Sequence, residues 1–258
     1  MQTLKIFKIG GNVVDNPQIL SKFLADFNRV SGDKIIVHGG GTEATRLASA
    51  LDVPVTMIEG RRVTDRRTLD IVTMVYAGLV NKRVVAALQA IGCNAIGLSG
   101  SDGDAIRAVI RAPEPVDYGY VGDINASSVN VRLLTDLLGS GMVPVLCAIT
   151  HDGDGLLLNC NADTIASSVA VALSQVRETE LIYCFEQPGV LTDINDKSSV
   201  IPLITPDDFP ALKESGVISA GMIPKIKNAL DAVRKGVRYV SVKSSDDILG
   251  CTGTTVRL

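Results

Sequence analysis

The chain has 258 residues, enough for one large domain or two closely joined lobes. Hydrophobic residues make up 46% and aromatics only 4%, with no Trp, so the core must be built from aliphatic side chains, as in helix-covered parallel sheets. A net charge of -3 without blocks of like charge argues against a general nucleic-acid binder, and five Cys with no C-x-x-C pair argue against a disulfide framework or zinc site.

Strand and helix signals alternate from the start. Leu4–Ile9 is a short β-rich run with no leader pattern before it and no membrane-length apolar run after it, so a cytoplasmic protein without membrane contact is expected. Asn16-Pro17 predicts a helix cap followed by Pro at the first helical position, and Ile19, Leu20, Phe23, Leu24 and Phe27 follow at helical spacing. Lys34–His38 predicts a second strand, and a helix is expected near Glu43–Leu51. A longer helix is expected over Arg67–Gln89, then a strand over Asn94–Leu98. Residues 109–128 carry short strand runs broken by Pro113, Pro115, Gly119 and Gly122, which suit β-hairpins. Val131–Leu138 is helical, Val143–Ile149 a buried strand and His151–Gly155 a hairpin turn. Thr164–Leu173 is helical, Leu181–Phe185 a strand, Pro224–Arg234 a helix and Val237–Val242 a strand. This βα alternation predicts an α/β fold with a mainly parallel sheet between helices, in two lobes meeting near residue 175.

Four segments carry candidate chemistry. Lys8-Ile9-Gly10-Gly11 ends the first strand; it reads either as a backbone cradle for phosphate oxygens beside a compact positive charge, or as a tight turn with a surface lysine. His38-Gly39-Gly40-Gly41 places three flexible residues before a helix N-terminus, where an anion is favoured; a plain flexible connection is the other reading. His38 fits a hydrogen-bonded structural role, and His151 a plain surface position. Asn159-Cys160-Asn161-Ala162-Asp163 precedes a helix, and two Asn and one Asp at alternate positions exceed what capping needs. Gly221-Met222-Ile223-Pro224-Lys225 puts a lysine in a first helical turn, where it opposes the dipole unless an anion sits beside it. No P-loop pattern is present.

Together with Gly60–Thr64, these pieces at this spacing resemble the amino acid kinase superfamily and, within it, the acetylglutamate kinase family, over nearly the whole chain. The resemblance implies an open, largely parallel eight-stranded sheet between helices, commonly in homodimers. It implies ATP-dependent phosphorylation of the side-chain carboxylate of an N-acylated glutamate, with Mg²⁺ held mainly by ATP oxygens and no protein metal cage. Lys8 and Lys225 correspond to the lysines that stabilise the transferring phosphoryl group, and Asp163 to the carboxylate that holds them. Gly40, Gly41, Arg62 and Asn159 correspond to substrate ligands. Gly10, Gly11, Glu186, Gly189, Leu191, Gly221 and Met222 correspond to nucleotide contacts, the nucleotide resting on a C-terminal lobe of about residues 176–258 that faces an N-terminal lobe of about 1–175. Glu186–Leu191 departs from the family's usual Asp-Val-x-Gly stretch, and Ala220 from its usual Asp. A long N-terminal helix typical of arginine-inhibited relatives is missing, so arginine feedback is not expected.

Two alternatives accompany this reading. Four arginines in Arg61–Arg67 would suit a second carboxylate on an N-succinyl substrate, or simply a solvated helix start. Glu186 and Ala220 would suit a non-catalytic binding protein on the same fold.

Overall fold

A computed structural model describes residues 3–218 and 222–258. Eight strands form one sheet: β1 (Leu4–Ile9), β2 (Lys34–His38), β3 (Ala95–Leu98), β4 (Val143–Cys147), β5 (Thr179–Phe185), β6 (Leu203–Ile204), β7 (Tyr239–Ser244) and β8 (Thr254–Val256). Their spatial order is β6-β8-β7-β5-β1-β2-β4-β3, parallel throughout except where β8 runs against β7. The open, largely parallel α/β sheet expected from the sequence is therefore present. The short strands β6 and β8 lacked a sequence signal, because two or three residues show no periodicity.

Strand β1 sits at the centre, and its alternation decides what each face carries. Phe7 points to one face, where its ring meets Phe23 and Phe27 edge-on at 6.3 and 5.2 Å. Both belong to α2 (Pro17–Arg29), which begins after a short helix α1 (Gly11–Asp15). Asn16 caps α2 as its sequence predicts, accepting from the backbone N–H groups of Gln18 and Ile19. The other end of α2 is closed by the buried Lys34, whose Nζ donates to the carbonyls of Phe27, Asn28 and Val30 at 2.7–2.9 Å. The next residue of β1, Lys8, faces the opposite side, which is covered by helix α7 (Ala162–Ser174).

Helix α3 (Gly41–Ala50) follows β2. The long helix is α4 (Arg66–Thr73) continued through a π-helical stretch, Met74–Val80, into α5 (Asn81–Ala90). By length and composition it could cross a bilayer, which corrects the expectation that no such run exists. Its Leu69, Val72, Val75, Val84 and Leu88 are nevertheless buried in the core. In the hairpin region Val109–Ile110 pairs antiparallel with Gly122–Asp123, and Ile149–His151 with Leu157–Asn159. His151 is not a plain surface residue: its Nε2 lies 2.8 Å from Asp104 Oδ1. The remaining α-helices among the described residues are α6 (Val131–Gly139), α7, α8 (Asp208–Glu214) and α9 (Ile223–Arg234).

Candidate active site

The C-terminal ends of β1, β2 and β5 converge where parallel α/β sheets place ligands. Lys8, near the end of β1, projects toward the first turn of α7, and its Nζ lies 2.7 Å from Asp163 Oδ1. Asn161 explains why Asp163 is free for this role. Its side chain caps α7 by accepting from the N–H groups of Asp163 and Thr164. The capping need is thus met one position away, and the carboxylate turns to the lysine.

Lys225 arrives from the other end of the sequence, in the first turn of α9. Its Nζ sits 4.0 Å from the centre of the Phe185 ring, and Lys8 Nζ lies 5.8 Å from the same centre. Both ammonium groups thus lie over the same ring, whose attraction for cations partly compensates the repulsion between them. Burial holds the Lys225 ammonium below the usual lysine range; Asp163 pulls it back up and Lys8 pushes it further down. Phe185 was absent from the sequence-based site, since a strand-end aromatic looks like core until the lysines from β1 and α9 are seen above it.

Two cavities adjoin this cluster. The larger, ≈ 410 Å³, is walled by Lys8, Gly10, Gly11, Phe185, Met222 and Lys225, and also by Glu186, Gln187 and Gly189. Leu191 lies elsewhere, buried and bridged to Val200. Gly221 falls outside the described residues, as does Ala220.

The smaller cavity, ≈ 160 Å³, is walled by Gly39, Gly40, Gly41, Arg62, Tyr76 and Asn159. Ala162, the residue before Asp163, also belongs to its wall, so the Lys8–Asp163 pair stands at the seam between the two spaces. Gly40 has φ +150°, and a Cβ there would meet the Tyr76 ring at 2.9 Å, so glycine is required. Tyr76 comes from the π-helical stretch, a distortion that often marks functional positions. The guanidinium of Arg62, 7% exposed, is held against the glycine turn by Nη2 donating to Gly41 O (2.9 Å) and Thr45 Oγ1 (2.8 Å). Asn159 Nδ2 donates to Thr64 Oγ1 at 3.0 Å, while its buried Oδ1 has no partner among the described residues. Arg66 instead pairs with Asp70 on the exposed start of α4, as the solvated-helix reading of that arginine expects.

His38 is structural. Fully buried, its Nδ1 lies 2.8 Å from Gly39 O and its Nε2 3.0 Å from Asn81 Nδ2, and Asn81 also donates to Val145 O. Burial pushes its pKa down to about 4, so the neutral ring donates through Nδ1–H and accepts at Nε2.

The sequence pattern of the Amino acid kinase family matches residues 3–244. The chain is 48% identical to the acetylglutamate kinase of Phocaeicola vulgatus over 256 residues, covering 99% of both proteins. It is 48% identical to that of Cytophaga hutchinsonii over 250 residues, 96% of this chain and 94% of the relative. Its fold matches the crystal structure of smu.665 from Streptococcus mutans UA159 at a TM-score of 0.81 and 31% identity, covering 100% of this chain and 99% of the other. The chain belongs to the amino acid kinase family, within its acetylglutamate kinase branch.

Proposed function

We propose that the protein transfers the γ-phosphoryl group of ATP to the side-chain carboxylate of N-acetyl-L-glutamate, working in the cytoplasm on a route to arginine. The observation that carries this reading is the meeting of Lys8, Asp163 and Lys225 at the seam between two cavities.

Both reactants are anions, and the acceptor carboxylate, with an ordinary pKa of about 4.3, is already ionised at neutral pH, so no general base is required. The barrier is repulsion and alignment: two unit charges 4 Å apart interact by roughly 4 kcal/mol at an effective dielectric of about 20. The chain's contribution is to hold the carboxylate in line with the γ-phosphorus while the bond to the departing ADP oxygen breaks. Lys8 and Lys225 offset the charge that builds on the phosphoryl oxygens, and Asp163 keeps both aimed. Mg²⁺ would come with ATP rather than on a protein cage, and would add positive charge beside Lys8 and Lys225.

In this reading residues 1–175 grip the acyl amino acid and residues 176–258 the nucleotide. Arg62 takes the α-carboxylate of the substrate. The unpartnered Asn159 Oδ1 suits the N–H of its acylated amino group. The glycines at 10, 11, 40 and 41 approach the phosphates and substrate with bare backbone. Exposed Met74 and Leu79 on the long helix give a surface suited to a homodimer; sedimentation of a monomer at all concentrations would remove that element.

The test of the whole proposal is turnover of ATP with N-acetylglutamate. Lys8→Ala and Lys225→Ala should each lower kcat by at least about 10²-fold. A rise in KM alone, with kcat intact, would show that neither lysine acts on the transition state.

A further inference from the structure

Tyr183 is a buried group that the reading above leaves without a task. It is the cross-strand partner of Lys8 in the β1–β5 pairing, so both side chains stand on the face that α7 covers. The residue is 1% exposed, and its hydroxyl has no partner among the described residues. Its ring stacks on Phe185, with centres 6.0 Å apart and planes 12° apart. Phe185 is the ring that both ammonium groups overlie. Burial, and next the Asp163 carboxylate, push the phenol's pKa up, which keeps it a neutral donor.

An unsatisfied hydroxyl is costly in a strand interior, and phenylalanine would fill the same space without that cost. The nearby group that gains from a donor is Asp163. Its carboxylate already serves Lys8, and two oxygens offer more acceptor positions than one ammonium uses. In the kinase reading, a γ-phosphate bound beside Lys8 and Lys225 would draw both ammonium groups toward its oxygens and leave Asp163 short of donors.

We propose that Tyr183 is a positioning residue for phosphoryl transfer, its hydroxyl donating to Asp163 once both substrates are bound and so holding the carboxylate that aims the two lysines. This rests on the kinase reading.

Steady-state kinetics and thermal melts of the full chain test it, using wild type, Tyr183→Phe, Asp163→Ala and the double variant. The phenyl ring keeps the stack on Phe185, so Tyr183→Phe should melt at or above the wild-type temperature. Its kcat should fall by about tenfold, as for loss of one hydrogen bond to a charged group, with the KM for each substrate unchanged. The double variant should be no slower than Asp163→Ala alone, because the hydroxyl acts through the side chain at 163 and alanine leaves it no acceptor. Wild-type kcat in Tyr183→Phe, or losses that multiply in the double variant, would overturn the inference while leaving the kinase reading intact. A wild-type protein that does not turn over ATP with N-acetylglutamate would instead sink both.

Discussion

Asp163 carries two obligations at once, and they can be separated by pH. Lys225 is held below the usual lysine range by burial, and the Asp163 charge is what limits that depression. In the proposed mechanism the working form has Lys225 protonated, so activity should be lost as pH rises through its folded-state pKa. Asp163→Asn should therefore move the alkaline limb of kcat/KM to lower pH, in addition to slowing the reaction. A limb that stays in place would mean that another group controls it. At Gly40 the constraint is steric. Gly40→Ala adds a Cβ at 2.9 Å from the Tyr76 ring in a backbone region that disfavours side chains. It should cost about 1–3 kcal/mol in denaturant unfolding. It should also raise the KM for N-acetylglutamate, because Tyr76 and Arg62 line the same wall.

Among the elements, those set by local chemistry were readable from sequence. The Asn16-Pro17 start of α2, the strand patterns of β1 and β2, and the polar entry to α7 all announce themselves within a few residues. Lys8, Asp163 and Lys225 could each be nominated as candidates from their own motifs, but their convergence depends on β1 and β5 being neighbours and on Lys225 of α9 reaching the Phe185 ring at the end of β5. The parts with no local signature depend on partners far along the chain. Phe185 acquires meaning only beneath two lysines, and Tyr76 only against Gly40. The π-helical turn that delivers Tyr76 has no pattern that distinguishes it from ordinary helix. Lys34 is a similar case, since only the fold shows it closing α2. Lys34→Met should remove that closure and lower unfolding stability by about 1–3 kcal/mol, the cost of stranding buried carbonyls, with kcat unchanged.

For the molecule as a whole, His38 ties stability to acidity. The unfolded chain takes up its proton near 6.5, the folded chain only near 4. Between those values the unfolded state binds more protons, so stability falls as pH is lowered through this window. The full difference corresponds to about 3 kcal/mol at most. His38→Gln should flatten the loss of melting temperature between these pH values, whatever its effect at neutrality. A slope equal to wild type would assign the acid sensitivity to other groups.

Strand β1 is bonded on both edges, to β2 on one side and β5 on the other. Its amides therefore cannot exchange with solvent through fraying of an edge. In deuterated water they should be among the last protons to disappear, at a rate that reports complete unfolding. The peptide bearing Lys8 thus behaves as a fixed anvil during turnover, and reactant entry and product exit must be accommodated by the segments around it.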